Sequence, residues 1–208
     1  MSNNFKIRLL ISILFSPIII SLIYLGDWYF NFLLLIVLIL GLFEIYKIKE
    51  LKIKFIIIIF FIFFIFCSYK INNTNNGEKI FLLLLIITWL SDSGGYLFGK
   101  IIGGKKINFI SPNKTYIGFF GSIAFSQLVI IYQNYIDIFF YKNLFINSFT
   151  LILFSLTVIL GDLFFSFLKR KSKIKDYSKL IPGHGGLFDR IDGLIFIVIT
   201  YYIFENIL

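Results

Sequence analysis

The chain has 208 residues, 59% of them hydrophobic, a mean hydropathy of +0.92 and a formal net charge of +9. Soluble domains use about 45–50% apolar residues, and a chain of this size cannot hide such an excess from water, which excludes an ordinary soluble enzyme or binding module. The basic residues sit in segments between apolar runs, so orientation in a membrane accounts for most of the positive charge, and nucleic acid is not an expected partner.

Lys6 and Arg8 precede an apolar run from Leu9 to Leu25. A basic start and apolar core resemble a secretory signal. No small-residue cleavage site follows, and another apolar run comes directly after Asp27, so a first transmembrane helix is expected and not a cleaved peptide. Pro17 is positioned to kink it. The second run, Trp28 to Phe43, has interfacial aromatics at one edge, and Glu44 to Lys54 reads as a charged connector. A third run spans Phe55 to Tyr69 and contains Cys67, the one cysteine, which rules out an internal disulfide and a cysteine-based metal site. Ile71 to Lys79 is a polar loop of turn composition. A fourth run, Ile80 to Phe98, carries Asp92, and a glycine-rich basic loop follows from Gly99 to Thr115. The fifth run is Tyr116 to Tyr132, the sixth Leu144 to Leu168 with Asp162 inside it, and the last Leu194 to Leu208. Each span needs about 20 residues. The expectation is an all-α, polytopic integral membrane protein of about seven transmembrane helices. It is read as a single membrane-embedded domain, with spans in 1–79 as scaffold and the chemistry-bearing motifs in 80–208.

The basic residues orient those spans. Seventeen of the twenty fall near the N-terminus, in the connectors at 44–54 and 99–115, and between Lys169 and Arg190; only Lys70, Lys79 and Lys142 fall in the alternate loops. By the positive-inside rule the first group is cytoplasmic. Both polar motif loops then lie on one side of the membrane, as a single active site requires.

The polar residues concentrate in two places. Asp162 lies at membrane depth, where an ionisable group is expensive and functional by default. On a helix it shares a face with Ser166 and Lys169; the bland alternative is a pairing with Lys169 or Arg170 near the helix end. Lys175 and Asp176 continue the charge cluster, which could equally be a solvated face touching lipid headgroups. Ile181 to Asp192 combines a Pro-Gly break, His184 among glycines, and Asp189 and Asp192 around Arg190. A helix starting near Leu187 would put Asp189 and Asp192 on one face. In the other loop, Ser111 and Pro112 read as a helix start, with Lys114 and Thr115 in a first turn whose N–H groups attract anions. Upstream, Trp89, Asp92, Tyr96 and Gly99 form a helical stripe; a membrane-edge helix with a belt aromatic is the plainer reading. Carboxylates for a divalent metal, cations for phosphates and flexible glycines together suggest phosphoryl or nucleotidyl transfer, with Mg²⁺ as the suitable ion. The residues alone do not name the substrates.

The segment Ser166-x-Leu-Lys-Arg-x₄-Lys-Asp-x-Ser-x₂-Ile-Pro-x-His-Gly-Gly-Leu-x-Asp-Arg-Ile-Asp192 resembles the signature of the phosphatidate cytidylyltransferase (CDP-diglyceride synthase) family at every specified position. The upstream Trp89-x-x-Asp92 … Tyr96-x-x-Gly99-Lys100 and Ser111-Pro112-x-Lys114-Thr115 are similar to that family in the same order. The chain departs from it at Ile117, where a carboxylate or amide is usual, at Gly95, where alanine is common, and in a shorter N-terminal half. The resemblance implies that CTP and phosphatidate give CDP-diacylglycerol and pyrophosphate with Mg²⁺, at the cytoplasmic face of the cell (inner) membrane, with the lipid tails left in the bilayer. It implies Asp162 and Asp189 as metal ligands, with Asp92, Asp176 and Asp192 as further candidates. Lys169, Arg170, Lys175 and Arg190 would neutralise phosphates. Ser111, Lys114 and Thr115 would bind CTP or the leaving pyrophosphate, and His184 would hydrogen-bond a phosphate or lend a proton. The rival readings are a CTP-dependent polyprenol or phytol kinase, a cytidylyltransferase for another lipid phosphate, and, more remotely, a transporter. The oligomeric state stays open, with a homodimer among the options.

Overall fold

The computed structural model describes residues 3–107, 114–136, 138, 140–174, 176–178, 180 and 185–207. These form α1 (Asn3–Tyr24), α2 (Asp27–Lys47), α3 (Leu51–Asn72), α4 (Gly77–Ile101), α5 (Tyr116–Ser126), α6 (Val129–Ile136), α7 (Leu144–Lys171) and α8 (Phe188–Ile207). Among the described residues there is no strand, and extended pairing is limited to isolated bridges such as that between Lys106 and Thr115, so the all-α expectation holds. Five stretches are long and apolar enough to cross a membrane: α2, α3, α4, Tyr116–Ile136 taken together, and α7. Ile13–Tyr24 of α1 is a shorter apolar stretch. α8 carries Asp189, Arg190 and Asp192 in its first turns and Glu205 near its end.

The fifth apolar run breaks into α5 and α6 around Gln127 and Leu128, where Leu128 N donates to Phe125 O at 3.0 Å in a tight turn. Between α3 and α4 the polar loop closes through Thr74, whose hydroxyl donates to Ile71 O at 2.7 Å. Asn76 there takes a left-handed φ of 61°, a conformation asparagine tolerates better than most residues. The large apolar side chains left exposed on α2 and α3, such as Phe32 and Ile59, form the surface that a bilayer would cover and that a soluble monomer rarely shows.

The chain folds as two compact units, residues 1–82 with 168–191, and residues 83–167 with 192–208. In the first, α1 packs on α2 and α2 on α3. Its core mixes isoleucine and leucine with aromatic pairs. Phe30 meets Phe81 edge-on at 4.8 Å, and Phe188 meets Phe61 at 5.1 Å and Tyr177 at 5.6 Å. Such pairs contribute about 0.5–1.5 kcal/mol each beyond simple burial. Cys67 is buried in this core, the inert setting its apolar neighbours predict.

In the second unit α4 and α5 approach through small residues. A Cβ on Gly94 would fall 2.4 Å from Gly121 O, and one on Gly95 would fall 2.6 Å from Ser122 Oγ. Phe154 anchors the remainder, against Phe140 at 4.9 Å and Tyr201 at 6.1 Å. A buried amide pair, Asn147 Nδ2 to Gln133 Oε1 at 2.8 Å, joins α6 to α7.

Candidate active site

Among the described residues, each unit shows an acid met by a lysine, and the two settings differ. In the second unit Lys114 forms an ion pair with Asp162 Oδ2, and both side chains are 28% exposed. Ser166 donates its hydroxyl to Asp162 Oδ1 at 3.4 Å, one turn along α7, as the helical spacing predicts. The pair borders a cavity of about 250 Å³ lined also by Asp92, Tyr96, Thr115 and Ser122. Drug-sized ligands occupy pockets of about 300–1,000 Å³, so this space suits a phosphate-bearing portion of a ligand better than a whole nucleotide.

The basic arm reaches this cavity by a short extended segment and not by a helix end. Ile107 N donates to Lys114 O at 2.8 Å. Thr115 is the N-cap of α5, its hydroxyl accepting from Gly118 N at 3.0 Å. Lys114 and Thr115 therefore precede the helix, whereas the Ser-Pro signal places them in its first turn. The threonine side chain satisfies one of the first-turn donors itself. Ser111 and Pro112 lie outside the described residues. Ile117 packs on Gly104, whose Cβ would meet Ile117 Cδ1 at 2.7 Å, so its role is apolar packing.

In the first unit Asp189 is fully engaged. Its Oδ1 accepts from Lys169 Nζ at 2.7 Å, and its Oδ2 accepts from Tyr177 N at 3.1 Å and Gly186 N at 2.9 Å. The lysine and aspartate side chains are 15% and 8% exposed. Lys169 Nζ also lies 5.6 Å above the Tyr177 ring. Gly185 has a φ of +88°, and a Cβ there would sit 3.0 Å from Asp189 Oδ2. Glycine is needed at this position for both reasons.

Asp189 and Asp192 both fall in the first turns of α8, as the helix expected near Leu187 requires. Asp192 is buried, with its Oδ1 accepting from Gly193 N at 2.9 Å. Arg170, Asp176 and Arg190 are exposed. Lys175 and His184 lie outside the described residues. Lys169 and Arg170 were the pairing candidates for Asp162; the observed pairs are Asp162 with Lys114 and Asp189 with Lys169.

The residue that sequence reasoning missed is Glu44. It reads as the start of a charged connector, yet it belongs to α2 and has no exposed surface. Its Oε1 accepts from Ser178 Oγ and from Leu187 N, both at 2.6 Å, and its Oε2 accepts from Phe188 N at 3.1 Å. The signal was available in principle: Glu44 continues the apolar run without a break in helical spacing. Among the described residues no three acidic, histidine or cysteine side chains cluster as a ready-made metal cage.

Apolar spans bearing acid–lysine pairs define a polytopic membrane protein with charged polar centres. A model described as the cytidylyltransferase family matches residues 49–208, most of the chain, and the chain belongs to that family. Three similar relatives carry the name phosphatidate cytidylyltransferase. The Staphylococcus epidermidis protein is 38% identical over 132 residues, 62% of this chain and 50% of the relative. The Staphylococcus aureus protein is 40% identical over 126 residues, 60% of this chain and 48% of the relative. The Staphylococcus haemolyticus protein is 36% identical over 126 residues, with the same two shares. The chain spans about half the length of the curated relatives it matches.

Proposed function

We propose that this chain is a phosphatidate cytidylyltransferase, forming CDP-diacylglycerol and pyrophosphate from CTP and phosphatidate. The observation that most supports the reading is the cavity that brings together Asp92 of α4, Asp162 of α7 and Lys114 from the extended segment before α5. It offers a cation for phosphate oxygens and carboxylates for a metal in one place. Membership of the family and the names of the relatives point the same way.

In this reaction a phosphate oxygen of phosphatidate attacks the α-phosphorus of CTP. A new P–O bond forms, the bond between the α-phosphorus and its bridging oxygen breaks, and pyrophosphate leaves. The attacking phosphate is already anionic near neutral pH, so little general-base assistance is needed. The main barrier is the gathering of negative charges, which fixed cations lower. Lys114 and Thr115 are the proposed groups for CTP or pyrophosphate, with Ser111. Lys169, Arg170, Lys175 and Arg190 are proposed to neutralise phosphate charge, and His184 to contact a phosphate.

Asp162 and Asp189 are the proposed carboxylates for Mg²⁺, with Asp92, Asp176 and Asp192 as additional candidates. The donor chemistry fits at Asp162, a partly exposed carboxylate with one ammonium counter-ion whose neutralising role a divalent ion would take over; at Asp189 an ion would have to displace Lys169, because the other oxygen is held by two backbone N–H groups. When bound, Mg²⁺ would supply charge neutralisation on the phosphates. The basic connectors favour the cytoplasmic side of the cell membrane for both loops.

The test is transfer of label from α-labelled CTP into lipid by purified protein in vesicles containing phosphatidate. Appearance of labelled, chloroform-soluble product is expected. Lipid labelled only from the γ position would make the protein a kinase and overturn the reading.

A further inference from the structure

We propose that Glu44 is a positioning residue: a buried carboxylate from α2 that fixes the signature loop and the start of α8. A carboxylate taken wholly out of water is tolerated only when hydrogen bonds replace hydration. Here all three donors belong to the signature segment, namely Ser178 Oγ, Leu187 N and Phe188 N. The Ser178 hydroxyl is itself fixed, accepting from Leu180 N at 3.1 Å while donating to Glu44. Gly186 lies against the same carboxylate, and any Cβ there would fall 2.7 Å from Oε1 and 2.8 Å from Oε2. Glu44 thus gives a physical reason for the second glycine of the signature, as Asp189 does for the first. It lies outside residues 49–208 that the family model matches.

The contacts change how the loop can meet an anion. A helix N-terminus ordinarily offers free N–H groups to phosphate. At α8 those of Leu187 and Phe188 go to Glu44, and that of Gly186 goes to Asp189. These three N–H groups are therefore already taken and are not offered to a phosphate. The task of Glu44 is to hold Gly186–Phe188, so that Asp189, the next residue, is presented in one orientation.

The catalytic consequence rests on the cytidylyl-transfer reading; the structural one does not, and the experiment separates them. Hydrogen exchange of the full chain in detergent is compared for wild type, Glu44→Ala and Glu44→Gln. Exchange in 176–190 is expected to rise about tenfold or more in Glu44→Ala and less in Glu44→Gln, with α3 unchanged. In the labelled-CTP assay the Mg²⁺ concentration for half-maximal rate is expected to rise about tenfold, and turnover to fall by up to about a hundredfold, in the same order. A merely structural role would lower the yield of folded protein and leave the Mg²⁺ dependence of the survivors unchanged. Gly186→Ala is expected to be harmful in wild type and nearly neutral in the Glu44→Ala background. Unchanged exchange in 176–190 in both Glu44 variants overturns the proposal, whatever the activity. Altered exchange with an unmoved Mg²⁺ dependence overturns the positioning role. An inactive wild type with the expected exchange pattern counts against the cytidylyl-transfer reading and leaves the clamp standing.

Discussion

Asp162 and Asp189 are both carboxylates paired with a lysine, but their surroundings assign them different work. Asp162 borders a cavity, is 28% exposed, and has a side-chain hydroxyl as its other partner. Asp189 is 8% exposed and accepts two backbone N–H groups besides its lysine. An ion pair open to solvent contributes about 0–1 kcal/mol, so the Asp162 pair is easily exchanged for a ligand or a metal. Removing one partner of a buried pair costs about 3–5 kcal/mol, so the Asp189 pair also shapes its loop. One acid is available to a ligand; the other organises backbone as well.

The largest effect is expected from Asp189→Asn. It removes the charge facing Lys169, and turnover should fall by at least about a hundredfold, with faster proteolysis confined to 172–190. Near-normal turnover would remove Asp189 from the machinery altogether. Asp162→Asn should cost a similar factor in turnover while the melting temperature in detergent changes little, because the pair is partly exposed. A large drop in melting temperature would erase the contrast between the two acids. Lys114→Gln is a milder change: the cavity keeps its shape and loses its cation. The KM for CTP should rise about tenfold, and an unchanged KM with wild-type turnover would take nucleotide phosphates out of this cavity. At the bottom of the scale, Lys142→Gln removes an exposed charge from a loop assigned to the opposite side of the membrane. Turnover should stay within about twofold; a large loss would overturn the proposed orientation.

Much of this was legible in the sequence, for physical reasons that also set the limits. Apolar runs report helices because a bilayer leaves the backbone few other choices. That is why α2, α3, α4 and α7 fall close to their expected positions. The break between α5 and α6 was not legible, since Ser126 to Val129 carries no glycine or proline. Pairings were the harder matter. Lys169 is near Asp162 in sequence and Lys114 is far away, yet Lys114 is the partner of Asp162. Helical period orders residues along one helix and is silent on what another segment brings to it. Glu44 shows the same limit: its nearest charged neighbours in sequence are lysines of a connector, while its hydrogen-bond partners are more than 130 positions away. The motifs were read as the property of 80–208 and the rest as scaffold. The unit containing the signature loop also contains 1–82, so the N-terminal helices build part of the loop's surroundings.

The most direct measurement is a paired assay with CTP labelled at the α or the γ position, run with wild type and Asp162→Asn in phosphatidate vesicles. Label from the α position is expected in lipid and label from the γ position in pyrophosphate with wild type, and neither transfer with Asp162→Asn. Lipid labelled from the γ position, or Asp162→Asn transferring α label at the wild-type rate, would contradict it.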